Sequence, residues 1–430
     1  MQQSEGSSPP RSPDTGNVSL ASLGPAVIVA SVVLGPGSIL INSQVGWKFG
    51  YTRIWVLLLA AILMWGMTTL AARVGLLLDQ SPCEIIARRV GRPIAIAIGV
   101  SLFTVASSFQ FSNNLGVLYG VEPIITTLSP KLPANMWQLP VLIGLNAAIV
   151  LVLVVSRSLY RPVERSMKWL VMLMLIGFAG NLVLARPDPF AIAAGCLPGT
   201  SQTSMTSVDW LSILGLVGTT FSVAAAFYQA YLVRQKGWTA NDIGRAFIDG
   251  SVGIATLAAM SLMVMITAAS VLHGNPEVTS LTSAADVAFQ LRPLFGPWAT
   301  VLFAIGILAG ALSSFVVNAI VGGTMLADGI GKGHNIDTRW PRYCTITTLL
   351  IGMTVAIAIK QLGFTTGQLI VFAQAITVLG NPLLAASLLW LSYQPEIVAA
   401  NAVPTWLRLL AWLGLIVVSL LSGRTVYMWL

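Results

Sequence analysis

Apolar runs long enough to cross a lipid bilayer recur along almost the whole chain. At roughly 17–25 mostly apolar residues per crossing, about eleven are present. They fall at about 24–46, 54–78, 94–120, 137–158, 166–185, 208–233, 249–272, 295–323, 343–360, 365–392 and 406–428. Hydrocarbon cannot hydrogen-bond a backbone, so such a chain is restricted to a bundle of spanning helices. The predicted fold class is an all-α integral membrane protein of about eleven transmembrane helices. The composition agrees: the 430 residues are 56% hydrophobic and 9% charged, with a mean hydropathy of +0.82. A soluble domain is roughly 25% charged. The stretches between spans are loops too short to fold alone, so residues 21–430 read as one transmembrane domain. Residues 1–20, rich in Ser, Pro and Gly, are expected to form a disordered cytoplasmic tail. They lack the basic-then-apolar order of a cleavable signal peptide.

A net charge of +8 invites a nucleic-acid partner, but the placement of the charges argues for topology instead. Arg88, Arg89 and Arg92 lie between spans two and three, and Arg157, Arg161, Arg165 and Lys168 around the turn between spans four and five. Arg234, Lys236 and Arg245 follow span six, and Lys332, Arg339 and Arg342 follow span eight. The alternate loops carry fewer basic residues. This bias predicts a cytoplasmic N-terminus and, with an odd span count, a C-terminus outside. A plasma membrane or bacterial inner membrane is the expected location, with the lipid bilayer and a small-molecule or ion substrate as the partners and no nucleic acid. Cys83, Cys196 and Cys344 are isolated, without metal-ligand or redox spacing. His273 and His334 fall in predicted loops. Neither a nucleophile–base pair nor a metal cluster is evident, so no enzymatic activity and no cofactor are expected.

Within the first span, Leu34-Gly35-Pro36-Gly37-Ser38 interrupts the apolar run. Proline and two glycines at that depth should break the helix. The freed backbone groups must then face protein, a cavity or a ligand, which is how many secondary transporters build a midplane site. Polar residues also cluster at depth elsewhere. Span three carries Ser107, Ser108, Gln110, Ser112, Asn113 and Asn114, and span eight carries Gly310, Ser313, Ser314 and Asn318. Spans six and ten contribute Thr219, Thr220, Ser222, Tyr228, Gln229, Gln374 and Thr377. Each alone reads as helix–helix glue; four spans together suit a polar cavity.

In order and register these segments resemble the Nramp family of divalent-metal transporters, from about Leu23 to Glu396. Leu34-Gly35-Pro36-Gly37-Ser38, with Gln44-Val45-Gly46 and Phe49-Gly50-Tyr51, looks like that family's first span. Leu57–Ala60 and Leu70–Gly75 look like its second, and Tyr160-Arg161 through Glu164 like the start of its fifth. Ala304–Ala309 and Ala373-Gln374 with Pro382 look like its eighth and tenth. The resemblance implies a LeuT-like fold: two five-span inverted repeats, about 24–185 and 208–392, and an added span at about 406–428. It also implies that the first span of each repeat is broken.

The departures from the family concern its chemistry. Its first-span Asp and Asn ligands fall on Gly35 and Ser38. Its sixth-span Met-Pro-His-Asn falls on Ser222-Val223-Ala224-Ala225, and a further His on Gln229. Its third-span acids fall on Ser108 and Phe111; the tenth-span Gln is kept as Gln374. Every Asp and Glu of this chain reads as lying in the tail, in a loop or near a span end. Dehydrating a divalent ion without a counter-charge is very costly, and no intramembrane acid is left to relay protons. The predicted substrate site is therefore Gly35, Gly37, Ser38, Ser108, Ser222, Ala225, Gln229 and Gln374. It would offer the N–H groups of Gly37, Ser38 and Ile39 at a helix N-terminus, plus hydroxyls and amides. That suits a small neutral polar or anionic solute moved by alternating access. A low-affinity divalent-metal carrier and a non-transporting sensor or scaffold are the alternatives. Span six has no proline, and Val223–Ala226 can continue as helix, so its break is left open by the sequence.

Overall fold

The computed structural model describes residues 24–129, 131–156, 160–199, 207–276, 278, 281, 297–362 and 366–429. The predicted tail at 1–20 and most of the 273–294 loop lie outside the described residues. All regular structure among the described residues is helical. Span one is α1 (Pro25–Val33) and α2 (Pro36–Phe49), bent by 60° at the Leu34–Gly35 break. Span two is α3 (Ile54–Leu77), and the short α4 (Pro82–Arg89) follows it. Spans three to five are α5 (Arg92–Leu128), α6 (Ala134–Val155) and α7 (Tyr160–Ala185), with α8 (Pro189–Gly195) after them. Span six is α9 (Ser207–Thr220) and α10 (Val223–Gln235), and span seven is α11 (Ile243–Val271). Spans eight to ten are α12 (Pro297–Gly329), α13 (Arg339–Gln361) and α14 (Thr366–Leu391). After α15 (Pro395–Ala399), α16 (Thr405–Trp429) forms the added span.

With α9 and α10 counted as one span, nine helical segments among the described residues are long and apolar enough to cross a membrane, and the bent α1–α2 pair makes a tenth. The 26-residue α14 occupies the position of the predicted tenth span. The short helices α4, α8 and α15 are additions to the sequence reading. Helix α4 shows why such a segment folds. Ser81 Oγ accepts the Glu84 N–H at 3.3 Å as N-cap, and Pro82 opens the helix. Glu84 sits in the first turn and Arg88 and Arg89 in the last, as the helix dipole favours.

The bundle has a protein-buried middle and a lipid-facing rim. The apolar windows of α3, α12 and the α9–α10 pair are mostly buried inside the protein. Those of α6 and α16 are mostly turned outward, through residues such as Leu151, Val155, Leu409 and Leu420. Successive spans alternate in direction, so two faces can be defined. The N-terminal face holds the start of α1, all of α4 and the ends of α10 and α12; the opposite face holds the ends of α2, α7 and α11.

Candidate functional site

Helix α1 packs along α10, and α2 packs along α9. The half-helices of spans one and six that lie toward the same face are thus paired, which sets the two breaks at one level of the bundle. Span six is interrupted at Phe221–Ser222 even without a proline, answering what the sequence leaves open. Phe221 N–H still reaches Val217 O at 2.7 Å, closing α9. Ser222 then caps α10, its Oγ accepting the Ala225 N–H at 3.4 Å. The Val223–Ala226 run is helical, but it begins a helix and does not bridge the break.

In span one the chain leaves α1 through Leu34 and re-enters a helix at Pro36. Gly35 N–H turns back to Val33 O at 2.9 Å, and Gly35 O accepts the Ile39 N–H at 3.1 Å. Ile39 is therefore committed within α2, a correction to the three free donors expected. Helix geometry leaves Gly37 and Ser38 with N–H groups that have no intrahelical acceptor. Ser38 is buried, and Asn42 one turn on donates to its Oγ at 3.2 Å and its carbonyl at 2.8 Å. Pro36 packs closely against α5: a Cβ on Gly116 would come within 1.8 Å of Pro36 Cγ.

The carbonyls that α1 frees at its end are taken by span eight. Ser314 Oγ lies 2.7 Å from Ser31 O and 3.1 Å from Val32 O, and Asn318 Nδ2 donates to Val32 O at 3.2 Å. Around Gly35 the space is filled: a Cβ there would meet Asn113 Oδ1 and Ser314 Oγ, each at 3.0 Å. Asn113 is held in turn by Gln110 Oε1 at 3.2 Å, and Gln110 Nε2 is anchored on Phe315 O at 2.8 Å. Asn113, Ser314 and Asn318 thus shape the break and are absent from the predicted site. Their signal in the sequence is that they are polar at span depth; what the sequence lacks is the register that turns them toward Gly35.

The other predicted residues fall as follows. Ala225 is buried in the first turn of α10. Gln229, fully buried, lies a turn further on and faces Asp249 of α11. Ser108 is half-buried on α5 and donates to Thr104 O at 3.0 Å within its own helix. Gln374 lies in α14, with its side chain outside the described part. Among the described residues no group of three or more His, Cys, Asp or Glu is arranged to hold a metal ion. Several acids placed near span ends by the sequence are nonetheless buried: Asp249, Asp328 and Glu164.

Side-chain hydrogen bonds and ion pairs tie the elements together on both faces around the broken spans. On the N-terminal face Tyr231 of α10 donates to Asp328 Oδ2 at 2.7 Å, and Ser81 to Asp328 Oδ1 at 3.0 Å. Arg234 donates to Gly75 O at 3.2 Å and Asp79 O at 2.9 Å. On the opposite face Lys48 pairs with Asp209 at 3.3 Å, and Tyr51 bonds Ser270 at 2.7 Å. A cleft of about 340 Å³ opens on the N-terminal face, lined by Arg234, Gln235, His334, Asn335, Ile336 and Asp337. It shares Gln235 and Ile336 with a cavity of about 20 Å³ that reaches Ile28 and Tyr228.

Comparison with known proteins supplies the lineage of this arrangement. The family model described as natural resistance-associated macrophage protein-like matches residues 26–428. The divalent metal cation transporter MntH of Verminephrobacter eiseniae is 26% identical over 387 residues, 88% of this chain and 82% of that protein. MntH of Deinococcus radiodurans is 26% identical over 412 residues, 93% of this chain and 88% of that protein. The crystal structure of a variant of the Eremococcus coleocola manganese transporter superposes with a TM-score of 0.78 at 18% identity, covering 94% of this chain and 85% of that one. Mhp1, a nucleobase-cation-symport-1 family transporter in a closed conformation, superposes at 0.52 with 15% identity, covering 93% and 91%. The fold is the LeuT-like one, five spans and their inverted repeat with an added span. With the family model matched over nearly the whole chain, this multi-pass membrane protein belongs to the Nramp family of transporters.

Proposed function

We propose that this Nramp-family transporter moves a small neutral polar or anionic solute by alternating access, through a site at the two breaks. The observation that carries the reading is the neutrality of the break. Gly35, Ser38, Ser222 and Ala225 offer no charged or sulfur ligand, and the carbonyls of Ser31 and Val32 are already bonded by Ser314 and Asn318. A cation there would lose its hydration without an opposing charge. The N–H groups of Gly37 and Ser38 at the start of α2, and the N-terminus of α10, are positive ends of helix dipoles and suit negative charge. We infer further that the N-terminal face is cytoplasmic, from the basic residues it carries, and that the membrane is a plasma or bacterial inner membrane.

A second reading is favoured by the relatives, which are named as divalent metal and manganese transporters. On it the chain carries a divalent cation at low affinity through backbone carbonyls, Ser38, Ser222 and Gln374. A flux panel in proteoliposomes separates the two, with manganese and magnesium from micromolar to millimolar concentration set against bicarbonate, nitrate, formate and neutral solutes. The first reading expects flux of one of the latter, reduced by Ser38→Ala, and none of the metals at any concentration. Manganese or magnesium flux that Ser38→Ala abolishes would sink it, and such flux confined to the millimolar range would establish the second.

A further inference from the structure

The N-terminal end of α1 is held by a carboxylate that the solute site does not use. Helix α1 opens with Pro25, which has no N–H, and its N-cap is Gly24, which has no side chain to cap with. Asp249, from the second turn of α11, takes that role. Its Oδ1 accepts the Gly24 N–H and its Oδ2 the Ala26 N–H, each at 2.8 Å. The residue is 1% exposed, and its charge sits at the positive end of the α1 dipole.

The groups facing this carboxylate are few. Gln229 of α10 faces it, and Lys236 just past the end of α10 is near enough to act on its charge. Lys236 Nζ also pairs with Glu164 Oε1 of α7 at 2.6 Å, and Lys168 reaches the same oxygen at 2.9 Å. On the α3 side, the neighbouring Gly250 looks onto the uncharged Thr69 hydroxyl. On the α11 side, Arg245 is turned away to Asp242 at 3.1 Å. Helix α1 itself carries no titratable side chain.

We propose that Asp249 is a proton-binding latch that links protonation from the N-terminal face to release of α1. Ionised, the carboxylate presents lone pairs to both N–H groups. Protonated, one oxygen becomes a hydroxyl beside an N–H, so one bond is lost and the attraction to the dipole with it. The latch is therefore closed at high pH and opens as pH falls through the titration of Asp249. Helix α1 can answer as a unit, because the 60° bend at Leu34–Gly35 separates it from α2. Gly253 seats it closely on α11: a Cβ there would lie 2.5 Å from Ala26 Cβ. None of this depends on which solute is carried.

Hydrogen exchange of the full chain in lipid nanodiscs tests the latch, read on peptides covering 24–34 and corrected for the intrinsic pH dependence of exchange. In the wild type, protection of these amides should fall as pH is lowered. Asp249→Asn should exchange about ten- to a hundredfold faster at neutral pH and lose the pH step. Lys236→Gln leaves both bonds to Asp249 in place but removes the facing cation, so the step should move to higher pH. Wild-type protection in Asp249→Asn, or a pH step that survives in it, would overturn the proposal. Should Asp249→Asn lose protection in α16 as well, it has unfolded, and the direction of the Lys236→Gln shift decides: no shift, or one to lower pH, overturns it equally.

Discussion

Gly116 is the residue on which the geometry of the first break rests most directly. Pro36 has a fixed φ and no donor, so it starts α2 well, but its ring must be housed somewhere in the bundle. It is housed against the bare backbone of Gly116. Gly116→Ala would put a methyl group where Pro36 Cγ lies, and neither a ring nor a helix backbone yields cheaply. The expected outcome is destabilisation at the level of overpacking, about 1–3 kcal/mol, seen as a lowered melting temperature in a thermal-shift assay. Adding the same methyl to Gly144, which has nothing within 4 Å, should leave the melting temperature almost unchanged.

At the scale of elements, α10 is fastened to α4 and α12 through one buried acid. Tyr231 donates to Asp328 and accepts the Cys83 N–H at 3.2 Å, while Ser81 holds the other oxygen of Asp328. Tyr231→Phe would keep the packing but leave the Cys83 N–H and one Asp328 oxygen unpaired. A loss of about 1–3 kcal/mol per stranded group is expected, again as a lowered melting temperature. Which parts of these elements were legible in the sequence follows from the physics of each. The spans were legible because hydrophobic length is a local property, and the first break because proline and glycine act on their own backbone. The break in span six was not, since Phe221–Ser222 contains no helix breaker; it is set by the Ser222 cap and by packing against α1. Asn113, Ser314 and Asn318 were visible as polar residues, but only the crossing of α5 and α12 over the break gives them their partners. Asp249 reads as a span-end acid until α1 is laid beside it.

The whole molecule offers a test of orientation through its own cysteines. Cys196 is exposed on the opposite face beyond α8, whereas Cys83 is fully buried on the N-terminal face. Burial first, and then the negative charge of Asp328, push the Cys83 thiol up, away from the reactive thiolate. On the proposed orientation, with the N-terminal face cytoplasmic, a membrane-impermeant maleimide should label intact cells in wild type and not in Cys196→Ser. Cys83 should stay unlabelled in opened membranes until the protein is denatured. Labelling of Cys196 only after the membranes are opened would reverse the proposed orientation.

The contact of α3 with α10 bears on how the two repeats can move. A Cβ on Gly75 would fall 2.2 Å from Ala230 O, so these helices touch backbone to backbone. Gly253 seats α1 on α11 in the same way, with a Cβ there 2.7 Å from Ala26 O. Both half-helices of the N-terminal face thus rest on a neighbour with no side chain between, and they differ in how their outer ends are tied. That of α1 hangs on one carboxylate, whereas that of α10 is moored by two side chains, Tyr231 and Arg234. A single substitution can therefore cast off the end of α1 but not the end of α10.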